Sequence, residues 1–341
     1  MPQDIFGTRI IAAPMAGGTS TAAFVAAVHR AGGLGFLAAG YKDAAGVEAE
    51  IRAVRATGAR FGMNVFVPDP GQLPPPPAVL AGLESYRRRL ATDAGRYGIE
   101  LAPPRLDDDD RWREKIDALL ADPVELVSFT FGLPGANVVR ALQRAGSLVL
   151  ATVTSPAEAR LAAERGVDAL VVQHGSAGGH SAAFLPGTPA SPTGTTAELA
   201  AAVGAAVGLP VAAAGGIMDA SDVAAVLAAG AQAAQVGTAL LRTAESGTRQ
   251  LHKEALADPR FTRTSLTRAF TGRPARALVN EFVTDHPDAP EAYPAVHHLT
   301  APLRAAAAAA GDAERLNLWA GTGWQRGRAG SVADVLAGLL D

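Results

Sequence analysis

Residues 148–180 read LVLATVTSPAEARLAAERGVDALVVQHGSAGGH. Two apolar, β-branched runs, Leu148–Thr152 and Ala169–Gln173, flank a stretch with helical apolar spacing, Pro156–Arg165. Ser155-Pro156 sets a capping hydroxyl and a proline at the helix entry, and Gly166 stops the helix. The unit is strand, helix, strand. Strands this apolar on both faces belong to a parallel sheet covered by helices.

The same unit recurs on either side. Strands are expected at Arg9–Ala13, Leu34–Ala38, Phe61–Phe66 and Glu125–Phe129 before it, and at Pro210–Ala214 and Ala231–Val236 after it. Helices are expected at Thr21–Ala31, Ala44–Thr57 and Ala220–Ala229, the last entered through Asp219. Eight such units predict an α/β protein with a closed (β/α)8 TIM barrel; an open doubly wound sheet is the alternative. Residues 68–112 break the alternation after the third strand, with a stiff stretch at Pro74–Pro77 and a helix over Leu80–Tyr97. From about Gly247 the pattern is helical, with a loop at Thr284–Pro294. The expected organisation is a barrel over 1–242 carrying the 68–112 insertion, and a helical covering segment over 243–341.

The 341 residues are 48% hydrophobic and 18% charged, which excludes overall disorder. A net charge of −3 argues against a general nucleic-acid or anionic-membrane binder. The absence of cysteine excludes a disulfide framework, a thiolate metal site and a cysteine nucleophile. MPQDIFGTRI has no basic region followed by an apolar one, so no secretory signal is read and a cytoplasmic location is expected. The most membrane-like run, Leu199–Met218, is broken by Gly208, Pro210 and Gly215-Gly216 and reads as helix, turn and strand.

Active sites of parallel barrels form at the C-terminal ends of strands. There the chain carries Pro14-Met15-Ala16, Gly40-Tyr41, Asn64, Thr130, Gln173 to His180, Gly215-Gly216 and Gln235-Val236-Gly237-Thr238. Glycines, amides and imidazoles gathered at one end suit a ligand lying against backbone. Gly215-Gly216 and Gly237-Thr238 follow the seventh and eighth strands, the usual phosphate site of such barrels, and read as a nest for an anion, or else as tight strand-to-helix turns. No Gly-Lys-Ser/Thr loop and no convincing GxGxxG is present. His180, behind Gly178-Gly179, reads as a general base or charge-stabilising donor, or else as a surface histidine. His174 reads as an orienting or packing residue. The adjacent His297-His298 point different ways and do not read as a metal pair, and no metal site is assigned. Asp107–Asp110 reads as a solvated face before a helix at Trp112–Leu120, and Arg87–Arg89 as an exposed helical face.

These strand-end residues resemble the nitronate monooxygenase family, formerly 2-nitropropane dioxygenases, in its bacterial class I form. The resemblance rests on residues 13–18 (APMAGG) with 31–35 (AGGLG), 61–66 (FGMNVF), 127–133 (VSFTFGL), 173–180, 214–217 (AGGI) and 235–238 (QVGT). It continues in 267–276 (TRAFTGRPAR), 296–303 (VHHLTAPL) and 318–321 (LWAG). It implies FMN over the barrel mouth, with its phosphate at Gly215, Gly216 and Gln235, Val236, Gly237 and Thr238. Asn64, Gln173, Gly178 and Gly179 would hold the flavin, and Pro14, Met15 and Ala16 would line its ring. His180 would be the catalytic histidine. The implied reaction is oxidation of small alkyl nitronates, such as propionate 3-nitronate, by O2 to a carbonyl compound and nitrite, without NAD(P)H. The chain departs from the family pattern at Thr130, Ser176 and Ser181, where His, Glu and Arg are often found. The alternatives are an NAD(P)H-dependent FMN reductase, acting on a quinone or enoyl thioester, and a non-catalytic flavin-binding protein.

Overall fold

The computed structural model describes residues 4–69, 75–187 and 193–341. The first six barrel strands are β1 (Ile10–Ala12), β2 (Leu34–Ala38), β3 (Phe61–Phe66), β4 (Leu126–Thr130), β5 (Leu148–Val153) and β6 (Ala169–Gln173). A two-residue strand, β7 (Gly179–His180), lies outside the barrel, which resumes with β8 (Val211–Ala214) and β9 (Ala233–Val236). The eight barrel strands are parallel, and β9 pairs back onto β1 with Ile11 opposite Gln235. Closure removes both sheet edges and excludes the open sheet.

Helix ends follow side-chain chemistry visible in the sequence. Ser155 Oγ accepts from the Glu158 backbone N–H at 3.2 Å, and Asp219 Oδ1 accepts from that of Asp222 at 3.1 Å. Gly166 ends its helix at φ 86°, a left-handed conformation that a Cβ resists. The apolar run at Leu199–Met218 divides between the helix Thr196–Val207 and β8. Among the described residues, no helix is long and apolar enough to cross a membrane.

The strands separate two apolar layers. Phe6, Ile11, Leu34, Phe36, Leu126 and Leu150 form one cluster with the small Ala169, Ala212 and Ala233. Ile10, Leu37, Val127 and Val149 instead pack with Val25, Val47 and Ile51 of the surrounding helices. The alternation is the period of two of a strand. A Cβ at Gly62 would lie 2.2 Å from the Phe36 ring, so glycine there makes room for a phenyl group.

The insertion holds two helices, Pro77–Arg89 and Ala91–Arg96, where one over Leu80–Tyr97 was expected, followed by Trp112–Ala121. Pro74 of the expected stiff stretch lies outside the described residues. Leu83, Tyr86, Leu90 and Ala94 share a core with Phe270, Phe282, Val296 and Leu299. The C-terminal segment is helical at Gln250–Ala255, Glu281–Asp285, Ala295–Ala309 and Val332–Gly338. It also contains a hairpin that the expectation of helices lacked: β10 (Thr264–Thr267) pairs antiparallel with β11 (Ala275–Leu278). β11 pairs in turn with β7, placing Ala275 opposite His180. Four-residue strands carry too little alternation to announce themselves, and the second partner of β11 is far upstream in sequence.

Candidate active site

A cavity of about 310 Å³ opens at the C-terminal ends of the barrel strands. Pro14, Met15 and Ala16 line it after β1, Asn64 at β3, Thr130 at β4 and Gln173 at β6. Gly178, Gly179, His180, Gly215, Gly216, Gln235, Gly237 and Thr238 complete the expected set. The Val236 side chain does not line the cavity but is buried in the cluster between strands and helices. Strand alternation accounts for this, since Gln235 faces the cavity and its neighbour must face away.

The rim is built of backbone. Gly215 and Gly216 adopt φ of 114° and 70°. The backbone N–H groups of Gly216, Gly237 and Thr238 have no acceptor among the described residues. Thr238 Oγ1 accepts from the Gly321 N–H at 3.0 Å, tying the C-terminal segment to the rim. A Cβ at Gly178 would lie 2.6 Å from Gly321 N, so the two backbones meet where a side chain has no room. On the β1 side, Ser20 Oγ accepts from the Met15 N–H at 2.9 Å and fixes that turn.

Two amides are more committed than their expected cofactor contacts require. Asn64 Nδ2 donates to Ser128 Oγ at 2.9 Å and Thr130 Oγ1 at 3.0 Å, which leaves its carbonyl oxygen for a ligand. Gln173 Nε2 donates to the His180 carbonyl at 3.1 Å, and its Oε1 accepts from the Ala182 N–H at 2.8 Å. Gln173 therefore braces the loop that carries His180. His174 Nδ1 lies 2.8 Å from Ser176 Oγ, the orienting contact expected of it. Of the three departures, Thr130 lines the cavity, whereas Ser176 and Ser181 do not.

The His180 ring is enclosed by Phe131, Tyr293 and Trp319, with centroids 5.6, 5.8 and 5.4 Å away. Its Nε2 lies 2.9 Å from Thr271 Oγ1. Burial, together with the nearby Arg273 and Arg304 guanidinia, pushes its pKa down to about 3. Its place in the cavity wall, among three aromatic rings, argues against the surface-histidine reading. A neutral imidazole also cannot supply positive charge; the guanidinia do. Arg304 donates to Thr300 Oγ1 at 3.2 Å, Asn317 Oδ1 at 3.4 Å and the His297 carbonyl at 3.2 Å, and it lines the cavity. Burial lowers its pKa to about 10, so it stays charged near neutrality, and among the described residues none of its partners is a carboxylate.

Tyr41 closes the wall in a left-handed conformation, φ 67°, unusual for a residue with a side chain. Its N–H donates to Asp110 Oδ1 at 2.8 Å, and Asp110 Oδ2 pairs at 2.7 Å with the fully buried Lys115. The acidic run is therefore not a uniformly solvated face. Asp107 and Asp109 are exposed, whereas Asp108 and Asp110 turn inward, to His298 and Lys115. Sequence reasoning also missed His297, Arg304, Thr271 and Trp319 as site residues. They lie in the C-terminal segment with no strand-end position to mark them.

A closed parallel barrel with ligand-directed backbone at its rim and a desolvated histidine beside it defines a barrel enzyme, and comparison with known proteins narrows the class to flavin-dependent oxidoreductases. A family model described as nitronate monooxygenase matches residues 2–341. A probable nitronate monooxygenase of Staphylococcus aureus (strain MSSA476) is 36% identical over 319 residues, covering 92% of this chain and 87% of that protein. Nitroalkane oxidase from Streptomyces ansochromogenes superposes with a TM-score of 0.90 at 48% identity, covering 98% of this chain and 95% of that one. FabK from Thermotoga maritima, at 24% identity and a TM-score of 0.74 over 98% of this chain and 92% of that one, shares the fold. The chain belongs to the nitronate monooxygenase family.

Proposed function

We propose that the protein binds FMN and oxidises small alkyl nitronates with O2, giving a carbonyl compound and nitrite. The observation that carries this reading is the pairing, in one cavity, of an unsatisfied backbone rim with a half-buried guanidinium that has no carboxylate partner among the described residues. The rim suits a phosphate: after β8 and β9 three cavity-lining residues have N–H groups without an acceptor among the described residues. In this reading Gly215, Gly216, Gln235, Gly237 and Thr238 hold the phosphate end. Pro14, Met15, Ala16, Gly178 and Gly179 offer flat backbone to the ring, and the Asn64 carbonyl oxygen accepts from it. Bound FMN supplies an electron acceptor for the nitronate and a partner for O2.

The chain's own residues do the rest. A nitronate is anionic, and Arg304 offers it positive charge in a desolvated site, where charge counts for more than in water. For propionate 3-nitronate the guanidinium would meet the carboxylate and orient the chain. His180, neutral and held by Thr271, presents a ring nitrogen to the substrate carbon side without repelling or trapping the anion. The phenyl and indole groups around it exclude water.

Purified protein should be yellow, release FMN on denaturation and consume O2 with propionate 3-nitronate. His180→Asn should keep the flavin and lose most turnover. Arg304→Met should raise KM at least tenfold for propionate 3-nitronate and less for propyl-1-nitronate. Colourless protein that cannot be reconstituted with FMN would overturn the reading, as would anaerobic bleaching by NADH at a catalytically competent rate.

A further inference from the structure

The cavity holds a second histidine whose tautomer is fixed by its neighbour. His297, on the helix Ala295–Ala309, lines the cavity, and its Nδ1 lies 3.3 Å from Arg304 Nη2. A guanidinium has only hydrogens to offer, so Nδ1 must be the acceptor in this contact. The ring hydrogen of the neutral imidazole then sits on Nε2, which has no protein partner among the described residues. The ring is clamped as well as polarised. It stacks on Tyr41 with centroids 4.1 Å apart and planes 4° apart. Tyr41 is itself held through its backbone by Asp110.

We propose that His297 is a second catalytic residue of this site: a permanently neutral hydrogen-bond donor whose Nε2–H meets the negative charge on the nitro-group oxygens. The proposal rests on the nitronate reading for the identity of those oxygens. The tautomer rests on this chain alone. Arg304 does two things through one contact. It occupies the lone pair at which His297 would otherwise be protonated, and it draws electron density from the ring, which strengthens the remaining N–H as a donor. Burial and the guanidinium together push the imidazole pKa down to about 2, so the ring does not titrate in the working range. The two histidines thus divide the work. His180 is held by a hydroxyl that can either donate or accept, so that contact leaves its tautomer free to change. His297 is held by a group that can only donate, so it can give a hydrogen bond and cannot act as a base.

The test uses the flavin-loaded full chain. In 15N NMR spectra, His297 should show an unprotonated Nδ1 and a protonated Nε2 unchanged from pH 5.5 to 9. Arg304→Met should convert this to a tautomer mixture. A His297 resonance titrating near pH 6.5, or a hydrogen found on Nδ1, overturns the assignment whether or not the protein turns over nitronates. His297→Phe keeps the stack on Tyr41 and removes the donor. With propyl-1-nitronate its kcat should fall ten- to a hundredfold across the whole pH range, with the shape of the pH profile unchanged. His297→Gln, which retains an N–H, should recover part of the loss. An unchanged kcat in His297→Phe with normal flavin content, or loss of one limb of the pH profile, refutes the donor role. Absence of nitronate turnover in the parent protein would instead count against the functional reading and leave the NMR result to decide the tautomer.

Discussion

At His180 one hydroxyl decides where the ring sits. Thr271 is 2% exposed, and its Oγ1 lies 2.9 Å from His180 Nε2 and 3.3 Å from the Arg273 carbonyl oxygen. Replacing it with valine keeps the shape and removes the contact, a loss of about 1 kcal/mol in ring placement. Thr271→Val should therefore lower kcat about fivefold with KM within twofold of the parent, and Thr271→Ser should restore most of it; steady-state kinetics at saturating O2 would show this. His180 was legible in the sequence because a strand end and two glycines announce a loop that approaches a ligand. Thr271, His297 and Arg304 were not. Each lies in a stretch whose local pattern is helix or loop, and only tertiary packing brings it to the barrel mouth. Val236 shows a different limit: within a motif read as a block, strand geometry turns one side chain away from the cavity, towards the helices.

At the scale of elements, the insertion after β3 works as a brace for the cavity wall. The helix Trp112–Ala121 carries Lys115 inward to Asp110, and Asp110 holds the strained backbone of Tyr41. Burial opposes both charges, raising the pKa of the Asp110 carboxyl and lowering that of the Lys115 ammonium. Removing one partner leaves the other buried and alone, at a cost of about 3–5 kcal/mol. Lys115→Met should lose stability on that order in urea unfolding, and adding Asp110→Asn should recover part of it. Equal stability of Lys115→Met and the parent would show that the pair is unimportant. The barrel strands were readable because burial on both faces gives unbroken apolar runs. The acidic run misled because alternate residues face opposite ways, and charge density alone does not reveal the alternation. The β10–β11 hairpin was hidden by its brevity.

Across the whole molecule, three desolvated imidazoles set the response to acid. Their pKa values are pushed down mainly by burial, to about 4 for His252, about 3 for His180 and about 2 for His297. In the unfolded chain a histidine titrates near 6.5. Below that pH the unfolded state holds more protons than the folded one, so stability falls as pH falls, until each folded-state value is reached. Each histidine adds a slope of up to about 1.4 kcal/mol per pH unit. Melting temperature should thus be nearly level from pH 8 to 7 and decline progressively from pH 6.5 to 4.5. His252→Gln should flatten the decline, since it removes one of the three groups whose folded-state pKa is depressed. A melting curve indifferent to pH between 7.5 and 5 would refute this account.

The pairing of β7 with β11 reaches beyond packing. The strand that aligns His180 and the helix that carries His297 and Arg304 both come from the last third of the chain, whereas the glycine rim comes from the barrel. Exchanging that last third between two relatives would carry this strand, His297 and Arg304 across as a block, along with the Gly321 contact to Thr238 at the rim. Hybrids joined between β9 and β10 that keep the Thr238–Gly321 contact would therefore swap one wall of the cavity as a unit.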